Sequence, residues 1–357
     1  MIYFVVNNDF HVDNLLNQKE SFDEYALCVI RIPYNLKSSN SLSDNSIEVY
    51  TPNKKIIEFF NPLLFLKAKR KVNEICFCSD DVVIFLTEYD PINLYVAYLA
   101  KKNGARVVLL EEGIATYYNN IFKEHNALSF YAMCKLFYLR FFLGFHFIDS
   151  YKGNFLKIKD EYVDELVLYR DVNLDRDINV SVVDSCSEAY MSLDVNKALF
   201  LNQPLYESYL TETDYVDIFL DVINSLSEQF DEVFFKFHPR DSEVVKAKLR
   251  QILQTKKNVV IVAESLDLSG AVKRYKPLFA VSFFSDALFK LSESGMNMVF
   301  LYHLYPKLNN NPVLISLTKV LSEMGYQFSE SILCITDNFY DVKVGSKKNL
   351  KDMLASN

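Results

Sequence analysis

The sequence contains no tryptophan, only 8 glycines and 5 histidines in 357 residues, and no excess of positive charge. Each shortage excludes something. Neither GxGxxG nor GxxxxGK[ST] occurs, which disfavours a dinucleotide-binding or P-loop reading. With 38 basic against 46 acidic residues and a net charge of −8, the chain has no electrostatic footprint for nucleic acid. Six cysteines, at 28, 76, 78, 134, 186 and 334, are too sparse for a disulfide framework. Cys76-x-Cys78 lacks a second pair at zinc spacing, and all six read as reduced core thiols in a reducing compartment. No other metal-ligand spacing of His, Asp or Glu is present. The one D-x-D, Asp175 to Asp177, reads as solvated charge away from any strand end. A G-x-S-x-G elbow and a cysteine–histidine nucleophile are missing as well. The N-terminus, MIYFVVNNDFHVD, lacks the basic and long apolar regions of a signal peptide and reads as a first strand.

What is present is half apolar residues, with 29 Phe and 23 Tyr, enough to bury a large core and to exclude a disordered or fibrous chain. Short β-branched or aromatic runs alternate with amphipathic stretches, the pattern of parallel sheets covered by helices. In the first half, Ile2–Val6, Tyr25–Ile32, Cys76–Cys78, Val82–Leu86 and Val107–Leu110 read as strands. Pro91 to Lys102 reads as a helix, with proline at its start and Asn103-Gly104 after its end. The polar, acidic stretch from Asp171 to Tyr190 reads as a linker. A second series follows: strands at Lys197–Leu201, Glu232–Phe237, Val259–Val262, Leu278–Ser282 and Met298–Leu301, with helices at Tyr215–Gln229, Glu243–Gln254 and Asp286–Ser294. The expected architecture is α/β, with a Rossmann-like domain over 1–187 and another over 188–357. The last helix, Asn349–Ser356, is a candidate to pack back on the first domain. Such folds bind ligands at the carboxyl ends of strands, between the domains.

Leu128–Ile148 is long and aromatic but interrupted by Lys135, Arg140 and His146, which argues against a spanning helix. It reads as a buried or interdomain helix pair. The sharper alternative is an interfacial surface, aromatic on one side with basic residues at its edge.

Five strand-to-helix junctions carry candidate chemistry. Glu111-Glu112-Gly113 follows the strand RVVLL. Adjacent carboxylates before a conformationally free glycine suit a general base, one of them raised in pKa by the other. Lys236-Phe237-His238-Pro239-Arg240 ends the strand EVFFKF, with an imidazole fixed by proline and flanked by cations, as a phosphate ligand needs. Ser282-Phe283-Phe284-Ser285 precedes a helix, with Ser285 at its expected N-cap. Gln203-Pro204 ends the second domain's first strand, and Glu264 follows VVIVA, where a carboxylate suits a ribose or base. Each motif also has an ordinary structural reading, as a solvated turn or a cap.

Taken together, acidic-acidic-Gly in the first domain followed by QP, KxHPR and a serine turn in the second resembles the bacterial sialyltransferases of the two-Rossmann (GT-B) type. The nearest likeness is to the lipooligosaccharide sialyltransferases and capsular polysialyltransferases. The resemblance implies Glu112 as general base with Glu111 supporting it, and His238 as phosphate ligand or general acid. It implies a donor site around Gly113, Gln203, Lys236, Pro239, Arg240, Glu264, Ser282 and Ser285. Phe284 departs from the family's paired hydroxyls and puts Ser282 in doubt. Asn8 and His11, in the first strand-to-helix loop, are carried over as acceptor-facing residues. The implied activity is an inverting transfer of sialic acid or a related nonulosonate from a CMP-activated donor to a surface glycan or glycolipid, without a metal or other cofactor. The implied setting is cytoplasmic, resting on the inner face of the cell membrane. The alternatives are CMP-Kdo or a nucleotide-diphosphate sugar as donor, or a catalytically inactive assembly subunit. Donor identity, acceptor sugar, linkage, polymerisation and oligomeric state stay open at this level.

Overall fold

The computed structural model describes residues 1–18, 22, 25–35, 45–50, 60–113, 116, 130–150, 156–170, 172, 176–183, 192–337 and 350. They belong to two compact units, Met1–Cys186 with Val344–Asn357, and Ser187–Lys343.

The first unit holds a parallel sheet of seven strands. In chain order these are β1 (Ile2–Asn8), β2 (Leu27–Asn35), β3 (Ser46–Glu48), β4 (Val82–Phe85), β5 (Arg106–Leu110), β8 (Glu165–Leu168) and β9 (Asn179–Val182). Their spatial order is β3-β2-β1-β4-β5-β8-β9. Two short strands, β6 (Ile148–Ser150) and β7 (Leu156–Ile158), form a separate antiparallel pair. The central strands are near-continuous runs of Val, Ile, Leu and Phe because both faces of a parallel sheet are covered. Helices α1 (Asp9–Asn17), α2 (Pro62–Asn73), α3 (Pro91–Lys102) and α4 (Phe130–Phe137) follow, the last continuing into a π-helical turn over Tyr138–Phe142. Helix α3 has the expected bounds. Asp90 accepts from the Ile92 and Asn93 N–H groups at its start, and Lys101 and Lys102 lie in its last turn. Among the described residues no helix is long and apolar enough to cross a membrane.

Three expectations need correction here. Cys76–Cys78 forms no strand. Phe77 turns inward against Tyr3, while Cys76 and Cys78 are exposed rather than core thiols. Cys28 is buried, and Cys186 lies outside the described residues. The stretch from Asp171 to Tyr190 is not simply a linker, because its residues 179–182 supply β9, paired to β8. Nor is the D-x-D region wholly solvated. Asp175 lies outside the described residues, but the Arg176 side chain is fully buried between Glu88 and Asp160. Burying a guanidinium requires just such carboxylate partners. Leu350, from the chain's last segment, is buried in the first unit's core with Phe4, Val108 and Val167.

The second unit holds five parallel strands in the order β12-β11-β10-β13-β14. They are β10 (Asp194–Leu201), β11 (Glu232–Lys236), β12 (Val259–Ile261), β13 (Pro277–Ser282) and β14 (Asn297–Phe300). Helix α5 (Glu212–Gln229) begins three residues ahead of its expected start because Thr211 caps it, and α6 (Glu243–Gln254) has its expected bounds under Ser242. Helices α7 (Leu268–Tyr275), α8 (Ala287–Glu293), α9 (Pro306–Asn309) and α10 (Pro312–Glu323) complete the unit. Both sheets reverse strand order beside their first strand, so each has a switch point at its carboxyl edge, where open α/β sheets bind ligands.

Candidate functional site

In the first unit, register decides what meets at the carboxyl edge. Phe4 lies level with Ile84, and Ile84 with Val108. Four residues further along the chain come Asn8, which ends β1, then Glu88, and Glu112, two residues past the end of β5. Strand β4 between them stops at Phe85, and across that gap the His11 Nε2 meets Glu112 Oε1 at 3.0 Å.

The proton on this imidazole has one place to be. The Asn7 backbone N–H donates to His11 Nδ1 at 3.2 Å, so Nδ1 is an acceptor and the hydrogen sits on Nε2, aimed at the carboxylate. His11 is 0% exposed and the Glu112 side chain 22%. The carboxylate is the partly exposed member of the pair and the imidazole behind it is sealed in. Asn7 is itself held by a reciprocal amide pair. Its Nδ2 donates to Asn93 Oδ1 at 3.0 Å, and the Asn93 Nδ2 donates to Asn7 Oδ1 at 2.8 Å, both side chains buried. This network ties β1 to the head of α3. Beyond Glu112 the chain turns sharply, and Gly113 adopts φ +150°, a conformation side chains disfavour. The Thr116 hydroxyl accepts from the Glu112 N–H at 3.0 Å and steadies that turn.

Glu111 behaves differently from its neighbour. Its carboxylate is 2% exposed, accepts from the Tyr169 N–H at 2.7 Å, and pairs with buried Arg170 at 2.9 Å. It anchors β5 to the end of β8, and its burial leaves it no role in supporting a base at the surface. The acceptor-facing assignments of Asn8 and His11 change too. The Asn8 Oδ1 accepts the His11 N–H as the N-cap of α1, and a fully buried His11 cannot touch an acceptor.

In the second unit the carboxyl edge carries the other candidates. The Arg240 backbone N–H donates to His238 Nδ1 at 3.1 Å, so this imidazole also keeps its hydrogen on Nε2. Its own backbone N–H donates to Asp241 Oδ2 at 2.8 Å. Asp241 is buried, and a chain runs from it through Asn202 to the buried Tyr215 hydroxyl, by contacts of 2.8 and 2.7 Å. Burial, then the positive charge of Arg240, lowers the His238 pKa below its ordinary value. Burial raises that of Asp241. Pro239 and Arg240 are exposed on the same turn.

The remaining donor-side candidates separate. Gln203 Oε1 accepts from the Phe284 N–H at 2.7 Å and from the Ser282 hydroxyl at 3.2 Å. Ser282 is fully buried and reaches the Leu201 carbonyl at 2.8 Å, so it braces β10 against β13 rather than facing a ligand. The N-cap position of α8 falls on Asp286, one residue past Ser285, whose Oγ accepts from the Ala287 N–H at 3.3 Å. Lys236 donates to the Leu266 carbonyl, and burial lowers its pKa. Glu264 pairs with Lys246 and Arg250 at 3.2 and 3.1 Å on the surface. Three of the five motifs therefore keep a partly exposed side chain with the predicted chemistry: Glu112 on one unit, and His238 and Ser285 on the other.

Asn7, Asn93, Asp241 and Asn202 went unread in the sequence. The one available signal was position: Asn7, Asn202 and Asp241 lie near a carboxyl strand end, while Asn93 sits in the first turn of α3. Among the described residues, no group of three His, Cys, Asp or Glu side chains is arranged to hold a metal ion.

Comparison with known proteins follows the same division. The chain is similar in structure to the UDP-GlcNAc 2-epimerase from Methanocaldococcus jannaschii, at 12% identity and a TM-score of 0.50, covering 97% of this chain and 93% of that one. It is likewise similar to the spinosyn forosaminyltransferase SpnP, at 10% identity and a TM-score of 0.50, covering 99% of both chains. At such identities the likeness speaks to fold alone, and the fold is GT-B, with two Rossmann-like units. No curated protein sequence matches the chain. A family model described as alpha-2,8-polysialyltransferase (POLYST) matches residues 11–293, a span that begins at His11 and includes both Glu112 and His238. This chain, a GT-B glycosyltransferase, belongs to the alpha-2,8-polysialyltransferase family.

Proposed function

We propose that this enzyme transfers sialic acid or a related nonulosonate from a CMP-activated donor to a hydroxyl of a surface glycan, with inversion and without a metal. The observation that carries the reading is the partly exposed Glu112 carboxylate held by the buried His11 at a carboxyl strand edge. A base needs an unprotonated, accessible oxygen with its other contacts fixed, and a neutral Nε2–H donor supplies that fixing.

The acceptor oxygen attacks the anomeric carbon as the bond to the CMP phosphate breaks through an oxocarbenium-like centre. The acceptor proton goes to Glu112, and the bonding electrons leave with the phosphate. His238 donates from Nε2 to the departing phosphate oxygen as a neutral hydrogen-bond donor, in keeping with its lowered pKa. Arg240, largely exposed beside it, adds positive charge. Ser285 is the hydroxyl left in the serine turn for the same phosphate. A cytoplasmic setting is part of the proposal, consistent with the free thiols at Cys28, Cys76, Cys78, Cys134 and Cys334.

Incubating the enzyme with candidate donors and a sialylated acceptor, and following CMP release in EDTA, tests the reading. Turnover with a CMP-nonulosonate in chelator is expected. Turnover confined to CMP-Kdo or a nucleotide-diphosphate sugar, or a strict metal requirement, overturns it.

A further inference from the structure

One face of the first unit is built unlike the rest of its surface. The π-helical turn that ends α4 widens the backbone to an i→i+5 bond, the Leu143 N–H reaching the Tyr138 carbonyl at 3.3 Å. Phe141 and Phe142 consequently both lie over Phe137, with ring centroids 4.6 and 6.0 Å from it. None of the three is covered: Phe141 is 74% exposed, Phe142 72%, and Phe137 more than half. Met133, one helical turn earlier, extends the stripe and is also exposed.

Helix α2 packs beside this turn. Phe60 and Phe65 contact the Tyr138 ring at 5.2 and 6.4 Å, and the Lys69 ammonium donates to the Leu143 carbonyl at 3.0 Å. The helix turns Phe65, Ala68 and Val72 inward and leaves Leu63 and Leu66 exposed, Leu63 at 72%. Lys67, Arg70 and Lys71 follow on its outer side. Lys71 pairs with Glu74 and Arg140 with Asp149, but Lys67 and Arg70 have no ion-pair partner among the described residues.

Charge here runs against the rest of the molecule. Residues 60–73 carry four Lys or Arg, residues 130–148 carry two, and neither segment contains an Asp or Glu, in a chain of net charge −8. Exposed apolar patches of this kind mark interaction surfaces. Aromatic and leucine side chains rimmed by unpaired cations match a lipid interface, whose acyl boundary takes rings without a shaped pocket and whose anionic headgroups meet the cations.

We propose that this face docks on an anionic phospholipid surface, with Phe137, Phe141, Phe142, Leu63 and Leu66 entering the interface and Lys67 and Arg70 meeting headgroup phosphates. The assignment rests on no catalytic residue, so it stands or falls apart from the reading of Glu112 and His238.

Sedimentation with phosphatidylglycerol-containing vesicles and with phosphatidylcholine vesicles tests it. The enzyme is expected to bind the anionic vesicles and to be released by salt. The variant Phe141→Ser/Phe142→Ser is expected to lose at least roughly tenfold in partitioning, and Lys67→Glu/Arg70→Glu a similar factor on anionic vesicles. All four positions are exposed, so circular dichroism and turnover on a vesicle-free acceptor should match the parent. No binding to anionic vesicles, equal binding to neutral ones, or parent-like binding by either variant overturns the proposal. So does a dimer, seen by ultracentrifugation, that the phenylalanine variant disperses while vesicle binding persists.

Discussion

The carboxyl edges of the two sheets solve the same problem with the parts exchanged. In the first unit a histidine is buried and a carboxylate is presented: His11 is sealed beneath Glu112. In the second a carboxylate is buried and a histidine is presented: Asp241 holds the backbone of His238 from below. In both, a backbone N–H occupies Nδ1 and leaves the hydrogen on Nε2. One edge consequently offers a proton acceptor and the other a hydrogen-bond donor. The difference teaches that a functional group is defined by which member of the pair is left in solvent, a property of packing and not of residue type.

The comparison breaks most visibly at Glu112. Glu112→Gln should lower turnover by roughly 10²–10⁴-fold while CMP binding, read by calorimetric titration, stays near that of the parent. Normal turnover would remove the base from the mechanism. The neighbouring change, Glu111→Gln, should do the reverse. It removes a carboxylate partner of buried Arg170, and urea unfolding should report a loss of up to about 3–5 kcal/mol with little change in turnover per folded molecule.

On the other edge, His238→Ala should weaken CMP binding by roughly 10–100-fold, the value of a hydrogen bond to a charged group. Subtler is His11→Ala, which should reduce turnover by about tenfold or more while leaving CMP binding near that of the parent, since the donor that orients the Glu112 carboxylate is gone. His11→Gln, which keeps a side-chain donor, should restore part of it. A merely structural His11 would lower stability and leave turnover per folded molecule in place.

The smallest effect concerns pH. Because the folded His238 pKa is depressed, chiefly by burial, the unfolded chain takes up this proton first as pH falls. Its contribution is present in full above pH 6.5 and declines as pH drops through the lowered folded value. Arg240→Ala removes a secondary cause and should move the imidazole midpoint, followed by NMR, back toward 6.5.

Much of the frame was readable in the chain. The bounds of α3 and α6 were legible because each is punctuated by a capping side chain and ends with its apolar period. Strands β1, β2, β4, β5 and β10 to β14 announced themselves as largely apolar runs, whereas β3 and β8 went unread. Strand β9 was missed too, because it is an edge strand whose first residues, Asn179 and Val180, are exposed, and its polar sequence resembled a linker. Cys76–Cys78 misled in the opposite way: one inward phenylalanine between two exposed cysteines has the composition of a strand without a neighbour's hydrogen bonds. At the candidate site, Glu112 and His238 were singled out by their place after a strand. Their partners were not, since Asn7, Asn93 and Asp241 are ordinary polar residues until the sheets bring them together.

Local sequence determined which segments extend, which coil and where each stops, because propensity, capping and apolar period act over a few residues. It also placed a carboxylate and an imidazole just past two strands. Tertiary structure alone decided that Glu111 is locked against Arg170 while Glu112 is partly exposed, and that His11 is buried against the Glu112 carboxylate instead of meeting an acceptor. Burial and hydrogen-bond direction depend on residues dozens of positions away, His11 and Glu112 being 101 apart, and no local pattern carries that distance.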